Sequence, residues 1–243
     1  MPTDHDFSEQ SSGPLGRWRV IVQIYEVGGV EEAVELARLG VDHIGVLVGT
    51  GAFPREVSPL RARDIFAALP PSAKGVALSL SDDPDDIARA IETASPDIVH
   101  IGAALELFPV EQARKLRARF PGVPVMRSIP VTGAESIAAA RQHEGVADWL
   151  LLDSHVPGDR QIGALGRTHD WSISRAIVDA VSIPCILAGG LGPANVAAAI
   201  AATRPAGVDS KTRTDRVDGA GKDVVKVRQF VMAAGGGAAR GRR

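Results

Sequence analysis

Two short stretches near the end of the chain carry the residues best suited to hold a negatively charged group. The first is Leu187-Ala188-Gly189-Gly190-Leu191-Gly192-Pro193-Ala194-Asn195-Val196. An apolar run ends there on two glycines, and Pro193 opens an alanine-rich helical segment. A strand, a tight turn and a helix start leave backbone N–H groups without partners, and such a place suits an anion, most often a phosphate. The second stretch is Ser210-Lys211-Thr212-Arg213, which follows the apolar run Gly207-Val208-Asp209. Its two cations can hold an anion, Arg213 as a bidentate fork and Lys211 as a point charge. They read equally well as solvated loop charges. Gly189, Gly190, Ser210, Lys211, Thr212 and Arg213 are thus the candidate phosphate cradle.

Other residues able to do chemistry sit in or just after apolar runs: Tyr25 after Gln23-Ile24, His100 within Asp97-Ile98-Val99-His100-Ile101, and Asp153 after Leu150-Leu151-Leu152. A strand-end aspartate handles a proton or hydrogen-bonds the loop that follows it. A strand histidine is a base or a hydrogen-bonded wall residue. The one cysteine, Cys185, lies inside an apolar run and reads as a small core residue. It excludes an internal disulfide and a cysteine-rich zinc site.

The elements that must position these groups alternate along the chain. Apolar runs begin near residues 19, 43, 75, 97, 123, 149, 183 and 207. Helical patterns follow them at 30–39, 59–69, from Asp82-Asp83-Pro84 onward, at 109–120, 134–143, 172–180, from Pro193, and at 222–232. Eight β-then-α units indicate a parallel sheet and favour a closed (β/α)8 TIM barrel over an open doubly wound sheet. A Rossmann start is disfavoured, since Val27-Gly28-Gly29-Val30 lacks the three-glycine fingerprint. Active sites of such barrels lie at the C-terminal strand ends, and the last two loops commonly bind phosphate.

A chain of 243 residues fits one such barrel. The expected organisation is a disordered tail at 1–16, a single barrel over 17–233 and a flexible Gly/Arg tail at 234–243. Aromatics are only 4%, so the core must be built from Val, Ile, Leu and Ala, a mixture that suits buried parallel strands. A net charge of −2 gives no reason to expect nucleic acid or an acidic membrane as partner. No run approaches the length of a membrane span, and the polar, acidic N-terminus is unlike a secretory signal, so a cytoplasmic location is expected.

From residue 148 to 223 the chain resembles phosphoribosylanthranilate isomerases, barrel enzymes of tryptophan biosynthesis in the ribulose-phosphate-binding group. Three ordered matches carry the likeness. Leu151-Leu152-Asp153-Ser154 with the loop Gly163-Ala164-Leu165-Gly166-Arg167-Thr168-His169-Asp170-Trp171 parallels the family's strand-end aspartate, Gly-Thr-Gly loop and Phe-Asp-Trp. Leu187 and Ala188 with the two glycines, Pro193 and Asn195-Val196 parallel its Leu-Ala-Gly-Gly-Leu and Pro-x-Asn-Val. Gly207-Val208-Asp209 and Gly221-Lys222-Asp223 complete the set. The resemblance implies an Amadori rearrangement of a phosphorylated sugar, with a general acid at the ring oxygen, a general base at C2 and no metal or organic cofactor. Asp153 would be the acid, a role that needs a raised pKa. Arg55, in Phe53-Pro54-Arg55, would meet a substrate carboxylate, or is a surface arginine of a Gly- and Pro-rich loop. A phosphorylated small molecule is the implied partner, and the chain would work as a monomer or homodimer.

The likeness breaks at the base. Where the family has Lys-Ile-Cys-Gly, this chain has Gln23-Ile24-Tyr25-Glu26. Tyr25 takes the place of the basic cysteine, and a phenol with a pKa near 10 is a poor base unless strongly perturbed. Tyr25, Glu26 or His100 would have to serve, or the base is lost. The family's Ser-Ser-Gly after the eighth strand is also replaced, by Lys211-Thr212-Arg213. Three readings follow: an isomerase of the family's type, a barrel repurposed for another phosphorylated substrate, and a non-catalytic protein that kept the phosphate site.

Overall fold

A computed structural model describes residues 19–163 and 165–235. The two tails expected from sequence fall on residues outside these ranges, apart from 234 and 235 at the end of the last helix. Eight strands form one closed, wholly parallel barrel in sequence order: β1 (Ile21–Ile24), β2 (His43–Leu47), β3 (Lys74–Ser79), β4 (Ile98–Ile101), β5 (Val125–Pro130), β6 (Trp149–Asp153), β7 (Cys185–Leu187) and β8 (Gly207–Ser210). β8 closes on β1 with Gln23 opposite Asp209. The helices are α1 (Val30–Arg38), α2 (Pro59–Ala67), α3 (Pro84–Ala94), α4 (Val110–Arg119), α5 (Glu135–His143), α6 (Trp171–Ala180), α7 (Val196–Thr203) and α8 (Val224–Ala233). None of the described helices is long and apolar enough to cross a membrane.

Strand side chains alternate between two cores. Val22, Ile24, Ile44, Val46, Leu150, Leu152, Cys185 and Leu187 face outward and pack in the main cluster beneath the helices. Tyr25, Val76, Ile98, Met126, Leu151 and Ile186 face inward and fill the barrel. Strands buried on both faces explain the dense apolar runs and the small demand for aromatics. Helix starts follow local capping chemistry. The Asp83 carboxylate accepts from the Asp85 N–H at 2.9 Å, with Pro84 at the first helical position. Asp170 caps α6 and Asp223 caps α8 in the same way. Cys185 is buried, and burial raises its thiol pKa to about 12, as befits a core residue.

One feature of the cradle differs from the sequence reading. The helix after the Gly189-Gly190 turn starts at Val196, not at Pro193. Asn195 explains the delay: its Oδ1 accepts from the Gly192 N–H at 2.8 Å and its amide donates to the Gly190 carbonyl at 3.2 Å, folding the intervening residues into a turn. After β8 comes only a three-residue 3-10 helix, Thr212–Thr214, and α8 begins ten residues later. The cradle is therefore made of loop and turn.

In the connection between β6 and α6, residues 160–162 lie against the end of β4. Gln161 bridges antiparallel to Ala103, the Ile162 N–H donates to the Gly102 carbonyl at 2.9 Å, and the Ala104 N–H to the Arg160 carbonyl at 2.8 Å. The loop is thereby laced to the end of β4. Beneath it, fully buried Arg127 on β5 donates to the carbonyls of Ile101, Ala103 and Phe108, fixing the β4–α4 turn.

Candidate active site

Two small cavities open at the C-terminal strand ends. One, about 30 Å³, lies between the last two βα loops and is lined by Gly189, Gly190, Ser210, Lys211, Thr212 and Arg213, with Asp153 and Asp209. The other, about 70 Å³, lies at the barrel centre and is lined by Tyr25, Glu26, His100, Ser128, Asp153, Gln161, Asp209 and Lys211. The structure thus gathers the whole proposed cradle in one place and puts Asp153 beside it. A larger cavity of about 640 Å³ between the loops after β4, β5 and β6 holds none of these groups. Carboxylates and cradle meet in the two small cavities.

The cradle is shaped by backbone. Gly189 and Gly190 both have positive φ, 85° and 59°. A Cβ on Gly190 would lie 2.8 Å from the Gly166 carbonyl oxygen, so the turn packs directly on the loop that follows β6. The Ser210 hydroxyl, read from sequence as a phosphate contact, instead donates to the Leu191 carbonyl at 2.7 Å and ties the two loops together. Gly163, also at positive φ, is so close to Asp153 that a Cβ there would overlap the carboxylate. Asp153 accepts from the Ser154 N–H at 2.7 Å and the Ser154 hydroxyl at 3.2 Å. Asp153 thus hydrogen-bonds the loop that follows it, and it also lines both cavities.

Tyr25 is 4% exposed, its ring lying where a Cβ on Gly45 would be. Its hydroxyl meets His100 Nδ1 at 2.5 Å, and His100 Nε2 meets the Ser128 hydroxyl at 2.8 Å. A neutral imidazole has one ring proton, so it donates to one of these hydroxyls and accepts from the other. Burial and the neighbouring Asp209 push the Tyr25 pKa well above 10, and burial, aided by Arg127, lowers that of His100 to about 3. The pair is neutral and internally satisfied. Held neutral, Tyr25 is ill suited to act as a base, and His100 is hydrogen-bonded through both ring nitrogens.

Charged residues meet at the β1–β8 edge. Glu26 has φ 61°, a left-handed conformation held here by a residue with a side chain where the family has glycine. Its carboxylate pairs with Lys211 at 3.1 Å, and Arg55 reaches the Glu26 carbonyl at 2.5 Å and its carboxylate at 3.6 Å. Glu26 and Lys211, two departures from the family pattern, thus contact each other. Arg55 also pairs with Asp215 at 2.9 Å, and buried Lys222 joins Asp215 at 2.7 Å and the Lys211 carbonyl at 3.0 Å. Burial lowers the Lys222 pKa, with Asp215 opposing. Burial acts to raise Asp215, but Lys222 and Arg55 outweigh it and hold that carboxyl below its usual value. The Gly221-Lys222-Asp223 motif therefore has a structural reason: a buried cation that pins the β8 loop, then a helix cap.

Asp209 is the residue most undervalued by sequence. It is 6% exposed, faces inward on β8, and receives the Gln23 amide at 3.4 Å. Burial, then Asp153, raises its pKa well above 3.8. The signal available in sequence was an acidic residue closing an otherwise apolar run.

Comparison with known proteins agrees with this geometry. The family model described as N-(5'-phosphoribosyl)anthranilate (PRA) isomerase matches residues 27–233, beginning just after the divergent Tyr25-Glu26. An N-(5'-phosphoribosyl)anthranilate isomerase of Methanocella arvoryzae is 36% identical over 201 residues, 83% of this chain and 91% of that protein. The phosphoribosyl anthranilate isomerase structure from Thermotoga maritima superposes with a TM-score of 0.75 at 27% identity, covering 89% of this chain and 99% of that one. A further isomerase structure, in complex with reduced 1-(o-carboxyphenylamino)-1-deoxyribulose 5-phosphate, matches with a TM-score of 0.73 at 26% identity, again over 89% and 99%. With a shared barrel, a shared order of motifs and a family match across seven of its eight strands, this chain belongs to the N-(5'-phosphoribosyl)anthranilate isomerase family.

Proposed function

We propose that the protein isomerises an N-substituted phosphoribosylamine, with N-(5'-phosphoribosyl)anthranilate as substrate, by an Amadori rearrangement. One observation carries the reading: Asp153 lines the same cavity as Gly189, Gly190, Lys211, Thr212 and Arg213. A phosphate held by that cradle leaves the sugar ring next to the Asp153 carboxyl. Asp153 gives its proton to the ring oxygen, the C1–O bond breaks, and the nitrogen lone pair forms the C1 iminium. Loss of the C2 proton then gives the enolamine, which relaxes to the ketose. Binding sites for small molecules usually measure about 300–1,000 Å³. Cavities of about 70 Å³ and about 30 Å³ are smaller, so substrate entry requires the lining to open.

The test is consumption of N-(5'-phosphoribosyl)anthranilate followed by NMR, with Asp153→Asn as control. Turnover that the variant loses by about 10²–10⁴-fold supports the reading. No turnover in the unmodified protein, or equal turnover in Asp153→Asn, overturns it. Arg55 gives a second reading its support. It is engaged by Asp215 and Glu26, so a substrate carboxylate must displace an internal one. A phosphorylated sugar whose nitrogen substituent lacks a carboxylate avoids that competition and belongs in the same assay.

A further inference from the structure

The central chamber and the phosphate cradle share three lining residues: Asp153, Asp209 and Lys211. A sugar phosphate seated in the cradle must pass its carbons along these three. Lys211 is paired with Glu26 at 3.1 Å, which leaves two carboxyl groups facing the sugar from β6 and β8. The reaction asks for two proton carriers, and the phenol at the end of β1 is sealed against His100. β8 is the strand next to β1, and Asp209 lies opposite Gln23, two residues before Tyr25. Its carboxyl therefore approaches the substrate from the side that Tyr25 has vacated as a base.

We propose that Asp209 is the second proton-transfer residue of this enzyme, taking the C2 proton while Asp153 serves the ring oxygen. This rests on the isomerase reading above. The step balances. Asp153 protonates the ring oxygen as the C1–O bond breaks, and the Asp209 carboxylate removes the C2 proton as the C2–H electrons form C1=C2 and the iminium electrons return to nitrogen. The enolamine loses its O2 proton and gains one at C1, so no proton is gained or lost overall. The cycle leaves Asp209 protonated and Asp153 ionised, two groups on one cavity that can re-equilibrate.

Burial suits Asp209 to the task. An ordinary carboxylate is too weak a base for a C–H bond, and raising its proton affinity brings it toward the operating pH. The groups around it are Gln23, Tyr25 and Glu26 from the β1 side, Asp153 from β6, and Lys211 and Lys222 from beyond β8. Asp153 and Glu26 act to raise its pKa; Lys222 and Gln23 oppose them. A carboxylate and a carboxylic acid lining one cavity provide a base and an acid together.

The experiment uses the full chain, unmodified and as Asp209→Asn and Asp209→Glu, with three measurements. These are turnover of N-(5'-phosphoribosyl)anthranilate, wash-in of deuterium from D2O into C2 of ribose 5-phosphate, the carbon next to its aldehyde, and calorimetric titration with inorganic phosphate. Asp209→Asn should lose about 10²–10⁴-fold in kcat and lose the wash-in, with the phosphate heat retained. Asp209→Glu should recover part of kcat with a displaced acid limb in the pH profile. Turnover and wash-in within about tenfold of the unmodified protein in Asp209→Asn overturn the proposal. If Asp209→Asn does not fold, an unmoved acid limb in Asp209→Glu overturns it. Wash-in that depends on Asp209, without turnover, removes the anthranilate substrate and leaves Asp209 standing. Absence of both in the unmodified protein removes both.

Discussion

Tyr25 shows how one side chain can change the chemistry of a site without disturbing the fold. Its ring is accommodated because residue 45 is glycine, and its hydroxyl is accepted because His100 and Ser128 continue the hydrogen-bonded row. Tyr25→Cys removes that ring and leaves His100 Nδ1 short of a partner. The substitution is expected to cost about 3 kcal/mol of stability, in the range of large-to-small core changes, and to lower the melting temperature. It also opens the chamber toward Asp153 and Asp209 and supplies a thiol, so turnover of N-(5'-phosphoribosyl)anthranilate should rise. A folded Tyr25→Cys protein with lower kcat would show instead that the phenol positions the substrate. At this scale the sequence revealed that the cysteine was missing. It did not reveal that Tyr25 and His100 hydrogen-bond one another, because their pairing spans 75 residues of chain.

At the scale of elements, the strands and most helices follow local rules: apolar runs for strands, and Pro or Asp at helix starts. The cradle is where local reading went astray. Pro193 suggested a helix start, yet the Asn195 side chain closes a turn first and the helix waits until Val196. What remains is a Gly189-Gly190 turn pressed against the loop after β6. Gly190→Val must move Gly166 and Arg167, since its Cβ would fall 2.8 Å from the Gly166 oxygen and 2.9 Å from the Arg167 carbonyl carbon, and φ of 59° is itself strained for a β-branched residue. We expect calorimetric heat with inorganic phosphate to vanish in this variant while far-UV circular dichroism is unchanged. Undiminished heat would place the anion elsewhere.

For the whole molecule, burial of titratable groups sets the pH dependence of stability. His43, His100 and His169 are lowered from 6.5 to about 4, about 3 and about 4, chiefly by burial. Below pH 6.5 the unfolded chain binds protons that the folded protein refuses, so this stabilisation is complete above 6.5 and is lost as pH falls toward 4. Each histidine contributes up to about 1.4 kcal/mol per pH unit in that window. Asp209 acts the other way: its folded pKa is raised, and its contribution is lost as pH rises above 3.8. Three groups outweigh one, so urea midpoints should fall steadily as pH drops below 6.5. His100→Gln should flatten the slope by about one histidine's share, and a flat profile in the unmodified protein would contradict the neutral burial of these rings.

The sequence by itself determined the barrel, because eight apolar runs alternating with helical patterns allow few other ways to bury both faces of each strand. It determined the strand-end position of Asp153 and the two loops of the cradle, since these are local patterns of neighbouring residues. Only the tertiary structure decided which groups remain available to act. Closure of β8 on β1 brings Asp209 to Gln23 and Lys211 to Glu26. That closure also carries Arg55 into an ion pair across 160 residues of chain. The physical reason is that burial and Coulomb attraction depend on distance through space, and a closed barrel makes neighbours of the first strand and the last.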